Sequence, residues 1–91
     1  MKGIKFIRQA LLDITASQLG KKLNVSRAAV SDWELGKTKI GEKQKNKIFA
    51  LCHINKQWYE KNITKKDMIQ ILLETMKEGE NKYEKKTNFT L

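Results

Sequence analysis

A chain of 91 residues, 40% hydrophobic and 32% charged, suffices for one small domain with a modest core and leaves little room for a deep catalytic cleft. Its formal charge of +9 and isoelectric point near 9.8 favour a polyanionic partner, with nucleic acid ahead of an anionic membrane surface. A lone cysteine, Cys52, and a lone histidine, His53, exclude an internal disulfide and a Cys/His zinc site. No cofactor is expected. Without a signal peptide or an apolar run of about 20 residues, the chain is expected to be cytoplasmic and to have no membrane partner.

Helical periodicity and the absence of proline predict an all-α fold. The first helix covers 4–12, with Ile4, Ile7, Leu11 and Leu12 inward and Lys5, Arg8 and Gln9 outward. Thr15 or Ala16 opens a second, short helix that ends at Asn24, a residue tolerant of the left-handed conformation. Val25 then turns inward. Ser26 caps a third helix over 27–35, whose buried face is Val30 and Trp33, and Gly36 stops it.

After the polar loop Lys37-Thr38-Lys39, Ile40 returns to the core and a fourth helix runs over 42–52, with Lys43, Lys45 and Lys47 at its start and on its solvent side. Cys52 falls in the apolar run Ile48, Phe49, Leu51 and reads as a structural thiol. Asn55 caps a short fifth helix holding Trp58 and Tyr59. Thr64 and Asp67 form a capping box for a sixth helix over 65–78. Its apolar face, from Met68 to Met76, is wide enough to bury two sides, and Gly79 is the expected stop. The chain therefore divides into 1–62, a C-terminal amphipathic helix over 63–79, and a flexible charged tail over 80–91. The positive excess is +5 over 1–40 (eight basic, three acidic residues), +3 over 41–62 (five, two) and +1 over 63–91 (six, five). The polyanion is thus attracted mainly by residues before the tail.

The informative segment is 16–36, in which two short helices share an interior through Leu19, Leu23, Val25, Val30 and Trp33. Gly20 lets them approach closely. Val25-Ser26 followed by Val30, Trp33, Glu34 and Gly36, continued by Lys37-Thr38-Lys39, resembles the helix-turn-helix of phage repressor and Cro-type (XRE-like) regulators. The resemblance spans 4–59. It departs at Gly20, where the family usually has alanine, and at Asn24, where it usually has glycine.

That resemblance implies a five-helix DNA-binding domain whose third helix enters the major groove of double-stranded DNA. Arg27 would then read guanine, Ala28 would admit the backbone or touch a thymine methyl, and Ser31 would bond a base edge or a phosphate. Asp32 would accept from cytosine or orient Arg27. Thr15, Ser17, Lys37, Thr38 and Lys39 would contact phosphates, with weaker attraction from Lys21 and Lys43. Glu34, without a second acid or a histidine in reach, reads as structural, and no enzyme is expected. Trp33 and Trp58 read as core.

The expected function is sequence-specific transcription regulation, with a homodimer repressing at a palindromic operator. Dimerisation candidates are Ile54 and Trp58 at the junction of the fourth and fifth helices, and Met68, Leu72 and Met76 on the C-terminal helix. The alternative is an antitoxin or accessory protein that binds DNA and grips a protein partner through the segment after Thr64. Membrane-surface attachment accounts for the charge but not for the turn. RNA binding lacks a surface of exposed aromatics.

Overall fold

The computed structural model describes the backbone of residues 1–87 and the side chains of residues 1–76. Four of the helical elements begin where a side-chain oxygen takes an orphan backbone N–H, whereas those at Gly3 and Glu42 start without one. Thr15 accepts from Gln18 N, Ser26 from Ala29 N, Asn55 from Gln57 N and Thr64 from Asp67 N. The resulting order is α1 (Gly3–Phe6), which continues as a π-helical turn over Ile7–Leu12, then α2 (Ala16–Leu23), α3 (Arg27–Leu35), α4 (Glu42–Cys52), a 3-10 turn (Lys56–Trp58) and α5 (Lys65–Thr87). The fold is all-α. Its nearest approach to a sheet among the described residues is an isolated bridge between Lys2 and Asn62.

Four breaks turn the chain through left-handed residues: Asp13 (φ 51°), Asn24 (φ 59°), Gly36 (φ 76°) and His53 (φ 57°). Between them, Ile4, Ile7, Leu19, Leu23, Val30, Trp33, Ile48 and Tyr59 form one continuous core, with Ile54, Trp58 and Ile71 in the same cluster. Tyr59 is fully enclosed and donates its hydroxyl to the Ile54 carbonyl at 2.7 Å. Burial, reinforced by Cys52 and Glu74, drives its phenol far above the ordinary tyrosine range. Cys52 is half-buried against that ring edge and accepts from Ile54 N. Burial raises its thiol despite those hydrogen bonds, consistent with a structural thiol.

Two expectations are corrected by this core. Ile54 and Trp58, candidates for dimer contacts, are 1% and 8% exposed within a single protomer, so they have almost no surface to offer a second copy. The terminal helix does not stop at Gly79 but runs to Thr87. One glycine inside a helix costs only about 1 kcal/mol, which the surrounding glutamates and lysines can offset. Residues 80–87 of the expected flexible tail are thus helical, and 88–91 lie outside the described residues.

The third correction concerns Arg8, expected on the solvent side and found 9% exposed. Its Nε and Nη2 donate to both carboxylate oxygens of Glu34 at 2.6 and 3.0 Å, and Nη1 donates to the Ile14 carbonyl at 2.9 Å. The reason lies in the spacing: Ile4, Ile7, Arg8 and Leu11 fall on one helical stripe, so the arginine enters the interior with its apolar neighbours. Donating its hydrogen bonds to Glu34 raises the Arg8 pKa further, against the opposing effect of burial, and the attraction between the charges adds to it. Removing one partner leaves the other charge buried and unpaired, at a cost of about 3–5 kcal/mol. We expect Arg8→Ala and Glu34→Ala each to lower the melting temperature by well over 10 °C, since about 1 kcal/mol shifts a domain of this size by 4–8 °C. Calorimetry that finds either change silent would show that the pair is dispensable.

Candidate nucleic-acid interface

α2 and α3 are joined by the three residues Asn24, Val25 and Ser26, the length of a helix-turn-helix connection. The turn closes because Val25 N–H donates to the Gly20 carbonyl at 2.8 Å. A Cβ on Gly20 would stand 2.8 Å from the Val25 carbonyl oxygen, so glycine is what allows α2 to lie against the start of α3. Lys47, expected on the solvent side, donates instead to the Leu23 carbonyl at 3.1 Å. Its charge thereby sits at the negative end of α2.

With Val30 and Trp33 buried, the opposite side of α3 faces outward. Arg27 and Ala28 are exposed, whereas Ser31 and Asp32 are half-buried. Among the described residues no ion pair joins Asp32 to Arg27, and neither side chain has a hydrogen-bond partner. Leu35, overlooked in the sequence, lies on the same face and is 65% exposed. Its spacing of four from Ser31 and eight from Arg27 was the available signal.

The flanks of this face carry hydrogen-bond donors. At the start of α2, a capping box uses the N–H groups of Thr15 and Gln18. Those of Ala16 and Ser17 remain beyond the reach of the helical ladder, at the positive end of the helix. Thr15 uses its hydroxyl as an acceptor, which leaves that hydroxyl's hydrogen to donate. Thr15 and Ser17 are both exposed.

Beyond α3, Lys37 N–H closes onto the Asp32 carbonyl at 2.9 Å, and Lys37, Thr38 and Lys39 project from the surface. The far end of this loop is held by Glu60. One of its carboxylate oxygens accepts from Ile40 N–H and the other from Lys45 Nζ, each at 2.8 Å. A cavity of about 320 Å³ opens beside the loop, lined by Lys2, Trp33, Gly36, Thr38, Lys39 and Glu60. Among the described residues, no group of three or more His, Cys, Asp or Glu could hold a metal.

This geometry defines a helix-turn-helix domain. Residues 4–44 match a family model described as Helix-turn-helix, and over this span the chain carries an XRE-like helix-turn-helix of that family. The match supports a DNA-binding transcription regulator. Comparisons with curated proteins and with solved structures give no match. No helix among the described residues is long and apolar enough to cross a membrane.

The Glu60 anchor has a pH signature. Partial burial pushes its carboxyl up, but the Lys45 hydrogen bond, the Ile40 N–H and the charges of Lys45 and Lys39 outweigh it, and its pKa lies below the ordinary value. A carboxylate depressed in the folded state stabilises the fold above its unfolded pKa, about 4.3, and loses that contribution as pH falls through the folded value. Glu60→Gln keeps an acceptor for Ile40 N–H but has no charge to titrate. Its stability deficit relative to wild type is therefore expected to shrink on acidification below that range, measured by denaturant unfolding at a series of pH values. A deficit independent of pH would disprove the role of the charge.

Proposed function

We propose that this regulator is a repressor that binds a palindromic operator as a homodimer, with α3 in the major groove of each half-site. The observation that carries the reading is the face of α3. Arg27 projects from its first turn, its side chain without a hydrogen bond or ion pair among the described residues, at the end of the helix that helix-turn-helix proteins present to base edges. Arg27 donates two hydrogen bonds to guanine O6 and N7, Ala28 meets a thymine methyl and Ser31 bonds a base edge. Asp32 accepts from cytosine N4; the alternative role of orienting Arg27 finds no support in its geometry.

Thr15 and Ser17 with the first amides of α2 hold one stretch of phosphates, and Lys37, Thr38 and Lys39 hold another. Lys21 and Lys43 add long-range attraction that salt weakens. A single module this small reads few base pairs, and two-fold pairing doubles the site.

Selection of duplexes from a random pool at physiological salt tests the reading. Wild type is expected to enrich an inverted repeat whose half-sites are about one helical turn apart. Arg27→Ala should relax one position in each half-site, with a loss of discrimination of about 1–3 kcal/mol. Enrichment of no sequence by wild type would refute specific readout, and enrichment of single half-sites would refute the dimer.

A further inference from the structure

The cavity of about 320 Å³ gathers Lys2, from the start of the chain, with Thr38 and Lys39 of the loop after α3, beside the largely buried Trp33. The segment that carries Lys2 is fixed. Ile63 N–H donates to the Met1 carbonyl, Gly3 N–H to that of Lys61 and Ile4 N–H to that of Tyr59, each at 2.9 Å, and Lys2 itself bridges to Asn62. Glycine at position 3 allows this approach, since a Cβ there would stand 1.8 Å from the Trp58 carbonyl oxygen. The Lys2 side chain then extends across Gly36, where a Cβ would lie 3.1 Å from Lys2 Cε and 3.6 Å from Nζ.

Among the described residues, the side chains of Lys2, Thr38 and Lys39 have no hydrogen-bond or ion-pair partner. Glu60, the acid in the cavity lining, has both carboxylate oxygens engaged, by Ile40 N–H and Lys45 Nζ. Two ammonium groups and a hydroxyl therefore face a small space whose acid is already matched by another lysine. A volume at the lower end of the range for small-molecule pockets, with this lining, suits one compact anion.

We infer that Lys2, Thr38 and Lys39 form a seat for one phosphate group of the DNA backbone, which makes Lys2 a DNA-binding residue. The inference rests on the reading above that the loop 37–39 holds phosphates, and it adds a partner from the start of the chain. Place favours the backbone over a free phosphate compound. Gly36 ends α3, so the seat adjoins the helix presented to the groove, and Thr38 and Lys39 are exposed. The hydrogen bonds on either side of Lys2 already order its backbone, so less conformational entropy is lost when it meets a phosphate. Without DNA, its charge rests at the negative end of α3, and a role confined to that end is what the experiment must separate.

Binding to a mixed-sequence duplex, followed by fluorescence anisotropy over a range of salt concentrations, tests the seat without requiring an operator. Each phosphate contact contributes about 0.9 to the steepness of log affinity against log salt. Lys2→Gln and Lys39→Gln are each expected to lower the steepness by about that amount per bound protomer, and to weaken binding by the same factor on every sequence. Lys2→Arg, which keeps the charge, should retain the wild-type slope. The melting temperature of Lys2→Gln should stay within a few degrees of wild type, because the side chain has no partner to lose. If Lys39→Gln lowers the steepness and Lys2→Gln does not, the inference is overturned while the reading of the loop stands. A lowered melting temperature with an unchanged slope would then assign Lys2 to the end of α3 alone. If neither substitution changes the slope, or wild type binds no duplex, the reading of the loop fails and the seat with it. Inorganic phosphate that stabilises wild type but not Lys2→Gln at constant ionic strength, beside an unchanged slope, would assign the seat to a free anion and also overturn the inference.

Discussion

The arrangement of the reading head depends on a carboxylate and a guanidinium held together inside the protein. The Arg8–Glu34 pair joins the π-helical turn after α1 to the last turn of α3, and the third arm of the guanidinium reaches the Ile14 carbonyl just before α2. The end of the first helix, Ile14 just before α2 and the last turn of α3, 26 positions from Arg8, thus meet at one planar, five-donor group. Such a pair need not add net stability, because desolvating two charges consumes most of their attraction. Its contribution is geometric. The bidentate match tolerates few alternatives, so once Glu34 is fixed, Trp33 and Val30 point inward and Arg27 and Ala28 point away. Lysine at position 8 could supply the charge but not the fork.

The same logic sorts the basic residues into two populations. Lys45 is engaged with Glu60, Lys47 with the end of α2, Lys56 with Asn46 and Glu42, and Lys61 with Asp67 and the Trp58 ring. Lys21, Lys22, Arg27, Lys37, Lys39 and Lys43 make no hydrogen bond or ion pair among the described residues. The first group fastens α4 and the segment that follows it to the rest of the core. The second retains its charge for a polyanion, and five of its members, Lys21, Lys22, Arg27, Lys37 and Lys39, belong to α2, α3 and the loop after them. It is these open cations, rather than the net charge of +9, that set the salt dependence of binding.

Most of the local structure was legible from single residues. Thr15, Ser26, Asn55 and Thr64 announce helix starts because their side chains can satisfy orphan N–H groups, and Asn24 and Gly36 announce stops because they tolerate positive φ. What could not be read was the choice between two physically equivalent fates. Arg8 was assigned to water on polarity, although its spacing from Ile4 and Ile7 places it inside; the partner that makes its burial tolerable lies 26 positions away. Ile54 and Trp58 carry the apolar signature of an interface, and nothing in a sequence distinguishes burial within a protomer from burial between two. Asp13 and His53 adopt left-handed turns that their residue types permit without requiring.

α5 divides its apolar residues between the core and the solvent. Met68 and Ile71 are bound to the protomer's core, so a change there alters stability first and any association only through it. Leu72 and Leu73, next in sequence but on the other side, can change with little effect on the protomer.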